Sequence, residues 1–367
     1  MKILWRLLFA IALVILVVQG SKGLWLGQVT KQFATYSLVE SLSVRPFAFF
    51  ETRLTPCEKN KVWVEEPPLY HQLAAFVEMA FPGKTWIFPL IVFLLFSVGV
   101  FFWARSELNF IPYFGIPLVL SPVFLRYGFQ QIPDFLALTL MIWGFYCLDQ
   151  KKVKTSFLLF VLSVTTKALF FVPIFFYAGF VFLRKKSKKG ILLFALPLPF
   201  IFWVLLIHVY HLPSPFEWNS MVENRHSGSL DLLFSLSYWL RFLTWNGSKG
   251  IGVLFFIFGM IELISRVRKN QWSPTVIWAL GVFPYWIVVR QGNFVHDYYS
   301  LGFLVPFGVL AISAIQSLFS KKWVREGIFL IHTGIALLSL SEMKPVSEWK
   351  QGVRPQFCDL DPRMISE

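Results

Sequence analysis

Apolar positions in this chain do not alternate with polar ones; they run on in long blocks. Eleven blocks, near 3–19, 86–104, 111–126, 133–148, 155–166, 168–183, 190–208, 250–265, 274–290, 299–317 and 326–341, read as helices able to cross a bilayer, for which roughly 17–25 residues suffice. The third, fifth and sixth are short, and 155–183 also reads as a single kinked span, which would change the count and the parity. The first block opens MKILWRLLFAIALVILVVQG. It reads as an uncleaved helix rather than a signal peptide, because the run is long and no small-x-small site follows it. Two stretches differ: LYHQLAAFVEMAF at 69–81 sets Leu69, Leu73, Phe76, Val77 and Met79 to one side, and LDLLFSLSYWLRFL lies at 230–243. Both predict amphipathic helices lying in a membrane interface.

Charge then orients the blocks. With the N-terminus in the cytoplasm, the short cytoplasmic turns carry Arg105, three lysines in KKVK at 151–154, five basic residues in RKKSKK at 184–189, three at 266–269 and three at 321–325. The short outer turns carry only Arg126, Lys167 and Arg290. This is the bias of the positive-inside rule, and merging 155–183 into one span would put RKKSKK on the disfavoured side. The long loops, about 20–85 and 209–249, and the tail at 342–367 then fall outside.

Composition agrees. The chain is 56% hydrophobic and 15% charged, with mean hydropathy +0.62, whereas a soluble domain carries about a quarter charged residues. The 42 Phe and 15 Trp suit packed membrane helices and their interfaces. A net charge of +14 raises nucleic acid as a partner, but the basic residues lie in turns between apolar blocks, so topology accounts for them and no nucleic-acid partner is expected. Three cysteines exclude a disulfide framework. Cys57 and Cys358 both fall outside, where one disulfide between first loop and tail would persist, while Cys147 is expected to be an unpaired helix residue. The fold class is therefore an all-α polytopic membrane protein of about eleven transmembrane helices. It has one transmembrane domain over 1–341 with a long first extracytoplasmic loop carrying interfacial helices, then a short outer tail.

Ionisable residues at membrane depth are costly and so are functional candidates. Four groups stand out: Glu65, Glu66 and Tyr70 in EEPPLY; Asp134 in FQQIPDF; Lys167 in VTTKALFF; and His296, Asp297 and Tyr299 in HDYY. Each has a plain structural alternative. The glutamates suit a solvated loop with proline opening a helix, and Asp134 suits a helix cap. Lys167 is able to snorkel, and the tyrosines suit interface anchors. Those alternatives explain each residue singly, but not why all four groups share the outer face.

The order EEPPLYHQL, PD, TTKA, HDYYSLGFLVP resembles the family 39-type membrane glycosyltransferases, the group of the protein mannosyltransferases and bacterial aminoarabinose transferases, over most of residues 1–320. KQFATY at 31–36 partly matches a segment that follows the first helix in one bacterial branch. The resemblance implies a GT-C-like fold in a bacterial inner membrane and a polyprenyl-phosphate sugar donor. It implies transfer on the outer face to a glycan, lipid or protein acceptor. It also implies an acid just after the first helix as general base. Here the chain departs: LWLGQVTKQ contains none, and the first carboxylates are Glu40 and Glu51. Either the base has moved, with Glu66 or Glu65 the best substitutes, or the chain is a weak or non-catalytic relative that binds lipid-linked sugar.

On that resemblance Glu66 is the base, a role that typically contributes about a hundred- to ten-thousandfold. Lys167 meets the departing phosphate, with Arg126, Arg241 or Arg290 helping. Asp134 and His296 orient hydroxyls, Asp297 assists the histidine, and one displacement inverts the anomeric centre. No cofactor is demanded; a divalent metal is compatible with the Asp and His side chains. Two rivals remain, a surface-polysaccharide polymerase or ligase and a transporter; the latter would show repeats and broken helices at mid-membrane, and no repeat is visible. A cysteine placed at Asp297 is expected to react with a membrane-impermeant maleimide added from outside; labelling only from the cytoplasm would overturn the shared outer face.

Overall fold

The computed structural model describes residues 2–20, 29–51, 67–108, 115–185, 195–212, 229–295, 299 and 301–340. Among these, every regular element is helical. The α-helices are α1 (Lys2–Gly20), α2 (Val29–Val44), α3 (Leu69–Ala80), α4 (Ile87–Leu108), α5 (Gly115–Val119), α6 (Pro122–Tyr127), α7 (Pro133–Asp149), α8 (Val153–Thr166), α9 (Phe171–Lys185), α10 (Leu198–Val209), α11 (Leu236–Leu243), α12 (Val253–Arg268), α13 (Pro274–Leu280), α14 (Val282–Val288), α15 (Arg290–Val295), α16 (Leu301–Leu318) and α17 (Lys322–Leu340). A 3₁₀ turn, Ala168–Phe170, precedes α9, another, Leu230–Phe234, precedes α11, and a π-helical segment, Thr244–Ile251, follows α11.

The outer surface of this bundle is apolar in stripes. On α1, Leu4, Leu7, Ile11, Val14 and Val18 are exposed at helical spacing, and on α4 so are Ile91, Leu95, Val98 and Phe102. Exposed apolar stripes of this length need an apolar solvent, as expected of an integral membrane protein. Ile87–Ser106 and Leu301–Leu318 are long and apolar enough to cross a membrane, and Leu236–Ile251 with Val253–Arg268 adds a third if that pair, bent by 110°, is one span. The other apolar helices are shorter, and two of the predicted blocks are broken. The block at 111–126 is α5 and α6, split at Leu120–Ser121; that at 274–290 is α13 and α14, split at Gly281, with α15 beyond. The stretch before α3 also holds α2, a helix its sequence pattern did not announce, and α2 packs on α3. Residues 230–243 are two elements where one was expected.

Direction along the bundle follows from contacts at the helix ends. The Gln131 amide, just before α7, donates to the Thr85 carbonyl just before α4. At the other ends, the Ser106 hydroxyl donates to Asp149. So α4 and α7 run parallel, with α5 and α6 as the return. A short turn at Gln150–Lys152 then sends α8 back beside α7. The chain reverses again at Lys167, whose extended backbone (φ −151°, ψ 110°) ends α8. Tyr177 in α9 meets Phe145 near the C-terminal end of α7, with ring centroids 5.8 Å apart. Residues 155–183 are therefore two antiparallel passes, and Lys151 and Lys185 belong to the same end.

Proline explains how the broken helices hold together. A proline inside a helix leaves the carbonyl four residues earlier without its donor, and a buried unpaired carbonyl costs about 1–3 kcal/mol. In α16, Pro306 frees the Gly302 carbonyl, and the buried Trp278 indole donates to it at 2.6 Å. In α4, Pro89 frees the Thr85 carbonyl, the one Gln131 meets. Before α6, Pro122 has no N–H for Leu118, so Ser121 N bonds Leu118 O at 3.0 Å instead. That diverts Ser121 N from the Pro117 carbonyl, which instead meets His332 Nε2 of α17 at 3.1 Å and the Ser121 hydroxyl at 3.4 Å. The same ring stacks on Phe255 at 3.8 Å. It also lies 2.8 Å from where a Cβ on Gly252 would sit, and Gly252 has φ +85° at the 110° bend, a conformation glycine tolerates.

The Trp278–Pro306 relation is testable. Trp278→Phe is expected to destabilise the detergent-solubilised protein, and to do so by about 1 kcal/mol less when Pro306→Ala restores the backbone donor. Equal losses in both backgrounds, read by thermal unfolding, would refute the pairing.

Candidate functional site

The reversal at Lys167 brings the C-terminal end of α8 back to the N-terminal end of α7. Lys167 Nζ lies 3.9 Å from Asp134 Oδ2, with both side chains nearly shut off from the surface. Asp134 is not an N-cap. That position is Ile132, extended at φ −131° and ψ 137° as a residue before proline must be. Pro133 opens α7 and Asp134 sits in its first turn, where the helix dipole favours a carboxylate. At 3.9 Å the pair exceeds charge-assisted hydrogen-bond distance, so the two charges attract across a small gap.

Tyr70 reaches the same end from α3. Its hydroxyl donates to Gln131 Oε1 at 3.0 Å. Burial, and then the charge of Asp134, push this phenol well above its ordinary pKa, which keeps it a donor at any physiological pH. Pro67 and Pro68 set the start of α3: the carbonyl of Pro68 accepts from Gln72 N at 2.8 Å, so the helix begins directly after EEPP. Tyr285 of α14 stacks its ring against Phe303 at a centroid distance of 4.7 Å, and its buried hydroxyl makes no hydrogen bond. Tyr299 is buried, its ring against Gly292.

Of the residues singled out from sequence, Asp134, Lys167 and Tyr70 are thus brought to one buried polar cluster, while Tyr299 is buried against Gly292. Glu65, Glu66, His296 and Asp297, with Cys57 and Cys358, lie outside the described residues; the chain resumes beside them at Pro67 and Tyr299. Cys147 is buried and free. Arg126 is part-buried in the last turn of α6, four residues before Gln130. Arg290 donates to the carbonyls of Ser229 at 2.8 Å and Ile287 at 3.1 Å, and Arg241 donates to that of Phe294 while lying 4.0 Å over its ring. These arginines clasp the stretch 286–294 that leads into His296. Glu51 is exposed and paired with Arg45 at 3.4 Å, and Glu40 is exposed on α2. Among the described residues no three His, Cys, Asp or Glu side chains gather to hold a metal.

Sequence reasoning missed Gln130, Gln131 and Tyr285. The first two carried a signal, a polar pair four and three residues before the single acid of an apolar block. Gln130 is buried, and neither its amide N nor its O has a hydrogen-bond partner. Tyr285 carried none, since one tyrosine in VFPYWIVV looks like a core aromatic.

No protein-family model and no curated protein sequence matches the chain. Solved structures do. ArnT from Cupriavidus metallidurans bound to undecaprenyl phosphate aligns at TM-score 0.64 and 16% identity over 90% of this chain and 63% of that one. Its apo state aligns at 0.62 and 16% over 89% and 62%. The oligosaccharyltransferase of Archaeoglobus fulgidus aligns at 0.56 and 13% over 98% and 59%. The chain spans less than two-thirds of the length of each. Both kinds are GT-C-fold glycosyltransferases.

Because the pair is buried, removing one partner strands the other charge. Asp134→Asn and Lys167→Met are each expected to cost about 3–5 kcal/mol, and the double variant markedly less than their sum. Additive losses in thermal unfolding would show that the two charges do not interact.

Proposed function

The chain has the GT-C fold, and we propose that it is an integral membrane glycosyltransferase taking a sugar from a polyprenyl-phosphate donor. The observation that carries this reading is the buried Asp134–Lys167 pair, with Tyr70 and Gln131, at one end of a bundle whose fold is shared with a transferase solved with undecaprenyl phosphate. A buried cation at the end of an apolar bundle suits the phosphate of a lipid carrier. The ion pair keeps that cation charged until the anionic headgroup arrives. In this reading the chain crosses a bacterial inner membrane about eleven times, N-terminus inside, with the cluster facing out.

The chemistry assigned follows from the residue types. Lys167 stabilises the leaving phosphate. Asp134 positions hydroxyls, helped by Tyr70 and by His296 and Asp297. Glu66, which directly precedes the buried Pro67, or else Glu65, takes the proton of an acceptor hydroxyl as it attacks the anomeric carbon in one inverting displacement. The acceptor is a glycan, lipid or protein bearing that hydroxyl. A second reading has one observation in its favour. The described part of the first outer loop before Glu51 holds one acid, the exposed Glu40, so a relative that binds lipid-linked sugar without transferring it fits the same geometry.

Incubation of the purified protein with radiolabelled polyprenyl-phosphate sugars and candidate acceptors separates the two. Turnover that disappears in Glu66→Gln supports transfer, whereas binding without turnover supports the second reading. Lys167→Ala is expected to weaken undecaprenyl phosphate binding about tenfold to a hundredfold. No turnover with any donor, together with unchanged binding in Lys167→Ala, would overturn both readings.

A further inference from the structure

The polar cluster makes no use of residues 230–243, yet helix α11 within them meets three surroundings at once. Tyr238 and Phe242 are buried, the second against Trp286 and Phe256 at centroid distances of 4.9 and 6.0 Å. Leu236, Trp239, Leu240 and Leu243 are exposed, and so are Ser237, Arg241 and Thr244. At about 100° per residue, these sets fall on separate faces: one against the protein, one apolar and open, one polar and open. Just before α11, Phe234 is 88% exposed. The Trp239 indole donates to the Leu233 carbonyl at 2.8 Å, so its one polar atom is satisfied without water.

α11 and the π-helical segment are bent by 110° from α12. α12 carries its own open apolar stripe, Val253, Ile257, Ile261 and Ile264, and a stripe of that length needs an apolar solvent. With α12 across the bilayer, a helix turned 110° from it runs near the membrane plane. Leu243 and Val253 flank the bend, so the open apolar face of α11 continues the lipid-facing stripe of α12 along the chain.

We propose that residues 230–243 form a lipid-seated clamp: α11 lies flat at the membrane surface and from there fixes the depth of residues 286–294. Its leucines meet the lipid acyl chains, while Ser237, Arg241 and Thr244 face water. This requires only a membrane-spanning chain and is independent of the glycosyltransferase reading. Three bonds make the grip. The Tyr238 hydroxyl donates to the Trp286 carbonyl, Arg241 donates to the Phe294 carbonyl while lying over that ring, and Arg290 Nε donates to the Ser229 carbonyl at 2.8 Å. A helix with one face for protein, one for lipid and one for water is stable where the three meet, so its height in the bilayer is set by its own side chains.

The seating is tested on wild type in nanodiscs, photolabelled with a lipid-soluble and a water-soluble diazirine and read residue by residue by mass spectrometry. The lipid-soluble reagent is expected to dominate at Leu236, Leu240 and Leu243, and the water-soluble one at Ser237 and Arg241. Water-soluble labelling that dominates at the leucines overturns the proposal. So does labelling there by neither reagent, which would mark a face covered by protein, such as a second copy of the chain. The grip is tested by hydrogen exchange in the double variant Leu236→Ser, Leu240→Ser. The amides of Val289 and Asn293 bond the Tyr285 and Val289 carbonyls at 2.8 and 2.9 Å. They are expected to exchange about fivefold faster, the weight of one lost hydrogen bond, with α7 and α8 unchanged. Unchanged exchange at both amides overturns the clamp, and so does equal acceleration in α7 and α8.

Discussion

The structure depends on one constraint: a backbone carbonyl in apolar surroundings must find a donor inside the protein. Proline repeatedly removes that donor here, and a side chain from elsewhere restores it. Trp278 reaches the carbonyl freed by Pro306, Gln131 the one freed by Pro89, and His332 the one left at Pro117. Each repair is a long-range contact, joining α13 to α16, the start of α7 to the start of α4, and α17 to α5. The breaks that shorten the helices are therefore also the points at which they are tied together.

The polar cluster is built from the same ties. Gln131, placed by its bond to Thr85, accepts the hydroxyl of Tyr70 and so fixes α3 over the end of the bundle. The hairpin of α7 and α8 then sets the charges. Both helices begin or end at this level, so the acid in the first turn of one meets the lysine that terminates the other. A lone charge in such a place would neutralise or reach for water; the pair lets both persist. That leaves a fixed cation beside a fixed carboxylate at one end of the bundle, and the proposed function rests on this pair.

Some of this was legible in the sequence. The apolar blocks mark the class, because burial in lipid demands continuous hydrophobicity whatever the packing. Basic residues in alternate turns gave the parity that set Asp134 and Lys167 at one end, and the reversal at Lys167 follows that parity. EEPPLY announced a helix starting after its prolines, since a fixed φ suits a first turn, and α3 begins there. The breaks at Leu120–Ser121 and at Gly281 were not read, because hydropathy is blind to a proline's effect on its neighbours' hydrogen bonds. The helix at 29–44 was missed for a related reason: its buried residues include Gln32, Thr35 and Ser37, so no clean apolar stripe marks it.

What the sequence determined by itself was local: which stretches avoid water, where proline denies a donor, and which ends carry charge. These are properties of a residue and its near neighbours. The tertiary structure alone decided the partners. His332 and Pro117 are 215 positions apart, and no periodicity records their meeting. Gln131 precedes α7 and is a strut; Tyr285 looked like core and has a buried hydroxyl without a hydrogen bond. Partner choice depends on which helix faces an orphaned group after packing, and that orientation is set by the contacts of the whole bundle at once.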